Sequence, residues 1–189
     1  MNLQTELPLC QLRPWCDADI QPLAALANDR MIWRNLTHLF PHPYGEQDAR
    51  DWVAIANRED PPMHVAITLD SEIVGGIGVE LGTGIHALTA DVGYWVARDH
   101  WGRGIATAAL RAWAQHLLAT TQLERLQAAV FAWNPASARV LERGGFTQEA
   151  VCRNSVFKDG EVIDSLLYAR TRSSPLALPP IGGSQGTGA

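Results

Sequence analysis

Hydrophobic and polar positions change period several times along the chain. Leu9 to Trp15 has the apolar density of a first strand. Asp17 is a candidate helix cap. After it Ile20, Leu23, Ala24 and Ala27 recur at helical spacing and predict an amphipathic helix. Met31 to Gly45 is aperiodic, with Phe40-Pro41-His42-Pro43-Tyr44 at its centre, and reads as irregular. A second helix is predicted from Glu46 to Arg58, ended by Pro61-Pro62, whose imides cannot donate to a helical ladder.

The period then drops to two. Met63, Val65, Ile67 and Leu69 alternate with His64, Ala66 and Thr68, as in a half-buried strand. Asp70-Ser71 turns the chain into Ile73 to Leu81, and Gly82 to His86 leads to Thr89 to Val96, completing an antiparallel meander. Helical spacing returns at Ile105, Ala109, Ala112, Trp113, His116 and Leu117. Arg125 to Phe131 is then a strand, and Pro135 to Arg143 a short helix closed by Gly144-Gly145. Val151 to Phe157 and Val162 to Ala169 are strands joined by Lys158-Asp159-Gly160. The order β-α-α-β-β-β-α-β-α-β-β is that of a mixed α/β sheet, not an alternating Rossmann-type fold.

Composition narrows the class. Of 189 residues 47% are hydrophobic and 19% charged, which suits one globular domain, placed at 1–172. From residue 173 to 189 the Pro-, Gly- and Ser-rich sequence has little to bury and reads as a disordered tail. No apolar run approaches ~18 residues, so no membrane span is expected, and the N-terminus lacks the pattern of a secretory signal. Cys10, Cys16 and Cys152 show no metal-ligand spacing and fit a reducing, cytoplasmic setting. The net charge of −5 hides an asymmetry: 13 acidic and 5 basic residues up to position 94, then 7 and 10 beyond it. The acidic half suits a cationic substrate and the basic half a phosphorylated ligand, although ordinary solvated surface explains both. No basic cluster marks a nucleic-acid surface.

The candidate chemistry begins where a strand meets a helix, at Val96-Ala97-Arg98-Asp99-His100-Trp101-Gly102-Arg103-Gly104-Ile105-Ala106-Thr107. Gly102 and Gly104 let the backbone approach a ligand, and the free N–H groups of the helix start favour an anion such as a pyrophosphate. A tight strand-to-helix turn accounts for the glycines as well. The Gly-Lys-Ser/Thr ending of a Walker loop is absent, as is the third glycine of a dinucleotide fingerprint.

Asp91-Val92-Gly93-Tyr94-Trp95-Val96 followed by Trp101-Gly102-Arg103-Gly104-Ile105-Ala106 resembles the acetyl-CoA motif of the GNAT superfamily, usually Gln/Arg-x-x-Gly-x-Gly/Ala. Trp101 takes the Gln/Arg place, a variant of the ribosomal-protein (Ala/Ser) N-terminal acetyltransferase branch. A second stretch, Asn134-Pro135-Ala136-Ser137-Ala138-Arg139-Val140-Leu141-Glu142-Arg143-Gly144-Gly145-Phe146, is similar to that family's Asn-x-x-Ser-x-Arg-Val-Leu-Glu-Lys/Arg-x-Gly-Phe pattern. Helix capping by Asn134, Pro135 and the paired glycines explains part of it without any ligand.

The resemblance implies a GNAT-like, mostly antiparallel central sheet of about seven strands flanked by about four helices. It also implies acetyl-CoA as co-substrate. Amides around Arg103, Gly104, Ala106 and Thr107 would hold the pyrophosphate, within the loop Trp101 to Thr107. The strand Tyr94-Trp95-Val96 would pair with the pantetheine arm, Asn134 would bond that arm, and Ser137 would face the thioester.

Acetyl transfer needs a neutral amine, hence a base; an oxyanion donor, sought in a backbone N–H near Trp95 or Val96; and a donor for the departing thiolate. Asp91 falls where family members carry a catalytic Glu. Glu80 on the neighbouring strand is the second candidate base. Where many members have a Tyr acid, this sequence has Leu141, which leaves Ser137 as the candidate donor. A solvent-facing carboxylate or an early-helix hydroxyl would explain these residues equally. Trp33, Phe40 and Tyr44 are candidates for an acceptor cleft or simply for core. The histidines lack metal-ligand spacing, and no metal is expected.

Three functions stay open: acetylation of a protein N-terminal α-amine, acetylation of a small amine (amino acid, polyamine or drug), and a non-catalytic CoA-binding module. A homodimer through exposed strand edges or the aromatic stretch also stays open.

Overall fold

A computed structural model describes residues 1–173. The tail expected to be disordered therefore lies, from residue 174 on, outside the described residues. Eight strands form one sheet in the order β1-β2-β3-β4-β5-β6-β8-β7. They are β1 (Leu3–Gln4), β2 (Cys10–Arg13), β3 (His64–Leu69), β4 (Glu72–Leu81), β5 (Thr89–Val96), β6 (Arg125–Phe131), β7 (Thr147–Lys158) and β8 (Glu161–Thr171). The helices are α1 (Ile20–Ala27), α2 (Arg30–Trp33), α3 (Glu46–Ala56), α4 (Ile105–Thr120) and α5 (Pro135–Arg143).

Two elements exceed the sequence expectation. β1 is a two-residue strand paired with β2 through Leu3↔Leu12 and Gln4↔Gln11. α2 lies in the stretch read as irregular. Its cap is Asp29, whose Oδ1 accepts from the Met31 N–H at 2.7 Å. β7 also starts four residues before its predicted beginning, because register shifts at Gln148/Ala150 and Cys152/Val156 carry the pairing through positions that break strict alternation.

The two faces of the sheet have separate cores. Trp113, Leu110 and Leu117 of α4 pack with Leu141 of α5 and with Val92, Leu126 and Tyr168 of the sheet. On the opposite face α1 and α3 contribute Leu23, Ala27, Ala49 and Val53, which pack with Trp15, Tyr44 and Ala66. Burying each large side chain contributes about 1.5–3 kcal/mol. Gly144 and Gly145 have different tasks at the end of α5. A Cβ on Gly144 would overlap Leu110 of α4, whereas Gly145, at φ 83°, supplies the left-handed turn.

The feature that builds the site is a divergence. β4 and β5 pair from Gly75↔Val96 to Leu81↔Ala90, and β6 and β8 pair from Arg125↔Thr171 to Phe131↔Ser165. β5 and β6, the one parallel pair among the described residues, meet only from Thr89↔Arg125 to Asp91↔Gln127. Each strand follows its antiparallel partner beyond that point. A wedge opens with its apex at Asp91 and Gln127, and Val92–Val96 has no strand partner on the β6 side.

Candidate active site

A cleft of about 480 Å³ fills the wedge. Tyr94, Trp95 and Val96 form one wall. The loop and first turn of α4 (Trp101, Gly102, Gly104, Ile105, Ala106 and Thr107) form its outer end, and Asn134 and Ser137 line the other wall. Of the sequence-predicted cofactor residues only Arg103 is not in the lining. Its guanidinium instead lies 3.1 Å from His100 Nδ1.

The loop geometry follows from its glycines. Gly102 and Gly104 have φ of 73° and 79°, a region other residues enter only with strain. A Cβ at either would meet no protein atom within 4 Å, so their bare faces look into open space. Gly104 is the residue at which α4 starts, so the free N–H groups of a sixteen-residue helix converge on the same space. Trp101 donates from its indole to the Val96 carbonyl at 2.6 Å, tying the loop to the end of β5. That bond occupies an acceptor of the very strand expected to pair with the pantetheine arm. This cradle, bare of Cβ atoms at its two glycines and facing the free amides of the helix start, fits a pyrophosphate.

Asn134 caps α5: its Oδ1 accepts from the Ser137 N–H at 3.1 Å, so only its amide NH₂ remains for a ligand. Leu141 is fully buried in the core and offers nothing to the cleft. A hydroxyl arrives from elsewhere. Tyr94 reaches from β5 to α5, its phenol oxygen 2.8 Å from Ser137 Oγ and donating to the Ser137 carbonyl at 3.2 Å. Burial pushes the Tyr94 pKa up to about 12, against the opposing Ser137 bond, so the phenol keeps its proton.

The two candidate bases are directly opposite each other, Glu80↔Asp91, at the apex. Ala90, Val92 and Tyr94 side with the α4 core and Trp95 with the α1/α3 core, so alternation puts Asp91 and Gly93 on the Trp95 face. Both carboxylates are exposed, and neither lines the cleft as delimited above. Asp91 Oδ1 accepts from Gln127 Nε2 at 3.0 Å, across the last β5–β6 pair. A Cβ on Gly93 would meet nothing within 4 Å, which leaves an open lane from Asp91 to Trp95.

Several cleft residues carry no motif. Met31, Arg34 and Asn35 belong to α2 and the turn after it. Asn35 Oδ1 accepts from Trp133 Nε1 at 3.1 Å, and the Arg34 guanidinium lies 4.0 Å over the Trp133 ring. Arg34 also pairs with Asp159 at 3.2 Å and Glu161 at 3.1 Å, which fastens this wall to the β7–β8 hairpin. The Asp29 cap was the one signal that could have placed α2. Trp33, Phe40 and Tyr44 do not line the cleft. Tyr44 is core, Trp33 stacks on His42, and Phe40 packs edge-on to Trp95 at 6.2 Å.

Comparison with known proteins decides the family. Residues 10–147 match the model of the acetyltransferase (GNAT) domain. The chain belongs to the GNAT acetyltransferase family. The ribosomal-protein-serine acetyltransferase of Escherichia coli is 35% identical over 82 residues, covering 43% of this chain and 46% of that protein. The phosphinothricin N-acetyltransferase of Streptomyces coelicolor is 28% identical over 165 residues, covering 85% of this chain and 95% of that protein. The chain spans about half the length of the first curated relatives it matches. Mycobacterium smegmatis RimJ, solved in complex with CoA-disulfide, is 27% identical with a TM-score of 0.77, covering 90% of this chain and 86% of that one. The ribosomal L7/L12 α-N-protein acetyltransferase RimL, solved with coenzyme A, shares the fold at a TM-score of 0.78 and 20% identity, covering 90% and 98%. Among the described residues no helix is long and apolar enough to cross a membrane, and no three His, Cys, Asp or Glu side chains gather as a metal site.

Proposed function

We propose that this GNAT protein transfers an acetyl group from acetyl-CoA to a primary amine, by direct attack of the amine on the thioester. The observation that carries the reading is the wedge between β5 and β6, with an amide-lined cradle at its mouth and paired carboxylates at its apex. Gly102, Gly104 and the first turn of α4 hold the pyrophosphate. The unpaired edge of β5 and the Asn134 amide orient the arm, so that its acyl end points to the apex. Acetyl-CoA supplies an activated acyl carbon and a thiolate leaving group.

The chain's own groups do the rest. Asp91, held by Gln127, takes a proton from the acceptor ammonium, and Glu80 opposite adds negative charge that draws the ammonium in. Polarisation of the carbonyl oxygen falls to backbone N–H groups of β5 near Trp95 and Val96. Ser137, positioned by the Tyr94 phenol, donates toward the departing sulfur. A phenol held near 12 keeps its own proton throughout.

The acceptor proposed is a protein N-terminal α-amine, whose pKa of about 7.7–8.0 makes deprotonation far easier than at a lysine near 10.4. The partial match to the ribosomal-protein-serine enzyme favours it. The longer match to the phosphinothricin enzyme supports a small-amine acceptor as the second reading. Thiol release from acetyl-CoA, measured against free-N-terminal peptides and against small amines, separates them. Release with peptides alone supports the first reading and release with small amines alone the second. Binding without release on any amine would make the chain a CoA-binding module.

A further inference from the structure

A histidine with no place in the mechanism above lies beside the apex. His64 on β3 pairs with Gly78 of β4, whose other neighbour is Gly93 of β5. A Cβ on Gly78 would overlap the His64 ring, so the ring lies across this glycine on the Asp91–Trp95 face. Two carboxylates hold it. Nδ1 is 2.6 Å from Glu59 Oε1, and Nε2 is 3.3 Å from Glu80 Oε1. Trp52 of α3 meets the ring edge-on at 5.0 Å.

The two carboxylates are unlike. Glu59 Oε2 already accepts the Met63 and His64 N–H groups, both at 2.9 Å, so Glu59 is a fixed acceptor for an Nδ1–H. Nε2 then faces Glu80. Glu80 is free at its other end, 79% exposed, and stands opposite Asp91. Like charges directly opposite on neighbouring strands repel. A donor at Nε2 of His64 offsets that repulsion at Glu80.

We propose that His64, oriented by Glu59, is a positioning residue for acetyl transfer: its Nε2 holds Glu80 at the apex, opposite Asp91. The proposal rests on the acetyltransferase reading. The step balances. The ammonium's first proton passes to Asp91 and then to water. The amine nitrogen bonds the acyl carbon as the carbon–sulfur bond breaks, and the nitrogen's second proton ends on the sulfur. The charged groups facing the ring are Glu59 from the segment after α3 and Glu80 from β4, with Asp91 of β5 behind Glu80.

The test compares the full-length wild type with His64→Gln, His64→Asn and Glu59→Gln. Melting temperature and acetyl-CoA titration establish that each variant folds and binds. The expected result is acetyl-CoA affinity within about twofold of wild type, kcat lowered about tenfold or more, and an acid limb of the kcat–pH profile that moves toward higher pH in the His64 variants and less so in Glu59→Gln. Unchanged kcat and an unchanged pH profile in a folded His64 variant would overturn the proposal. Imidazole ¹⁵N spectra give a readout independent of turnover, with His64→Gln assigning the resonance. In the wild type the His64 Nδ1 should be the protonated nitrogen at high pH, and Glu80→Gln should move the Nε2 titration. An Nε2 that titrates identically with and without Glu80 rejects the proposal even where no acceptor is turned over. Absence of turnover in the wild type on every amine would instead reject the acetyltransferase reading.

Discussion

The phenol of Tyr94 and the hydroxyl of Ser137 meet at 2.8 Å and join the β5 wall of the cleft to the α5 wall. Forty-three residues separate them, and the pair exists only because β5 leaves β6 at Asp91. Tyr94→Phe should lower kcat about tenfold, roughly 1.4 kcal/mol of barrier, with acetyl-CoA affinity within about threefold. Because burial holds the phenol near 12, Tyr94 should cause no alkaline loss of activity around its ordinary pKa of about 10. Steady-state kinetics of the variant and the wild-type pH profile check both points.

Gly104→Ala isolates the cradle. The added methyl meets no protein atom within 4 Å, so steric loss of affinity must come from a ligand. Adopting φ 79° should cost about 1 kcal/mol of stability. Acetyl-CoA affinity should fall tenfold or more by calorimetry, while Gly160→Ala, at a hairpin turn with the same left-handed φ and the same open surroundings, should leave affinity unchanged.

Asp91→Asn should reduce kcat about a hundredfold, the usual scale for a removed base, and spare cofactor binding. Gln127→Ala should reproduce part of the loss, because it frees the carboxylate that its amide holds at 3.0 Å. Single-turnover rates with saturating acetyl-CoA distinguish this from weakened binding.

Asp19 tests the scaffold apart from the chemistry. Burial opposes its ionisation, but Arg13, with two contacts of 2.7 Å, and the Cys16 N–H outweigh burial and lower its pKa. A carboxyl lowered on folding contributes stability that is present above its unfolded pKa, about 3.9, and is lost as pH falls through the folded value. Asp19→Asn should therefore cost about 1.5–3 kcal/mol at neutral pH. The deficit should shrink in acid, as read by urea unfolding at pH 7 and pH 3.

Much of the site was legible because its parts are local. The left-handed glycines at 102 and 104, the start of α4 and the Asn134 cap are each set by a few adjacent residues, and the motif spacing gave them directly. The meander was equally clear, since alternation from Met63 to Leu69 records one buried face. Elements too short for a period were not legible. Four-residue α2 and two-residue β1 are held by contacts, not by pattern. Side-chain partnerships across the chain were hidden for the same reason: Trp133–Asn35 spans 98 residues and Arg34–Glu161 spans 127. Leu141 showed that the usual acid was missing, but only the wedge brought Tyr94 to Ser137.

Calorimetric titration of the wild type with acetyl-CoA, run beside Gly104→Ala, tests the cleft's assignment most directly. Saturable one-to-one binding that weakens tenfold or more in the variant is the predicted result, and a ligand-dependent rise in melting temperature should accompany it. Absence of both binding heat and thermal shift in the folded wild type would contradict the reading of the wedge as an acetyl-CoA site.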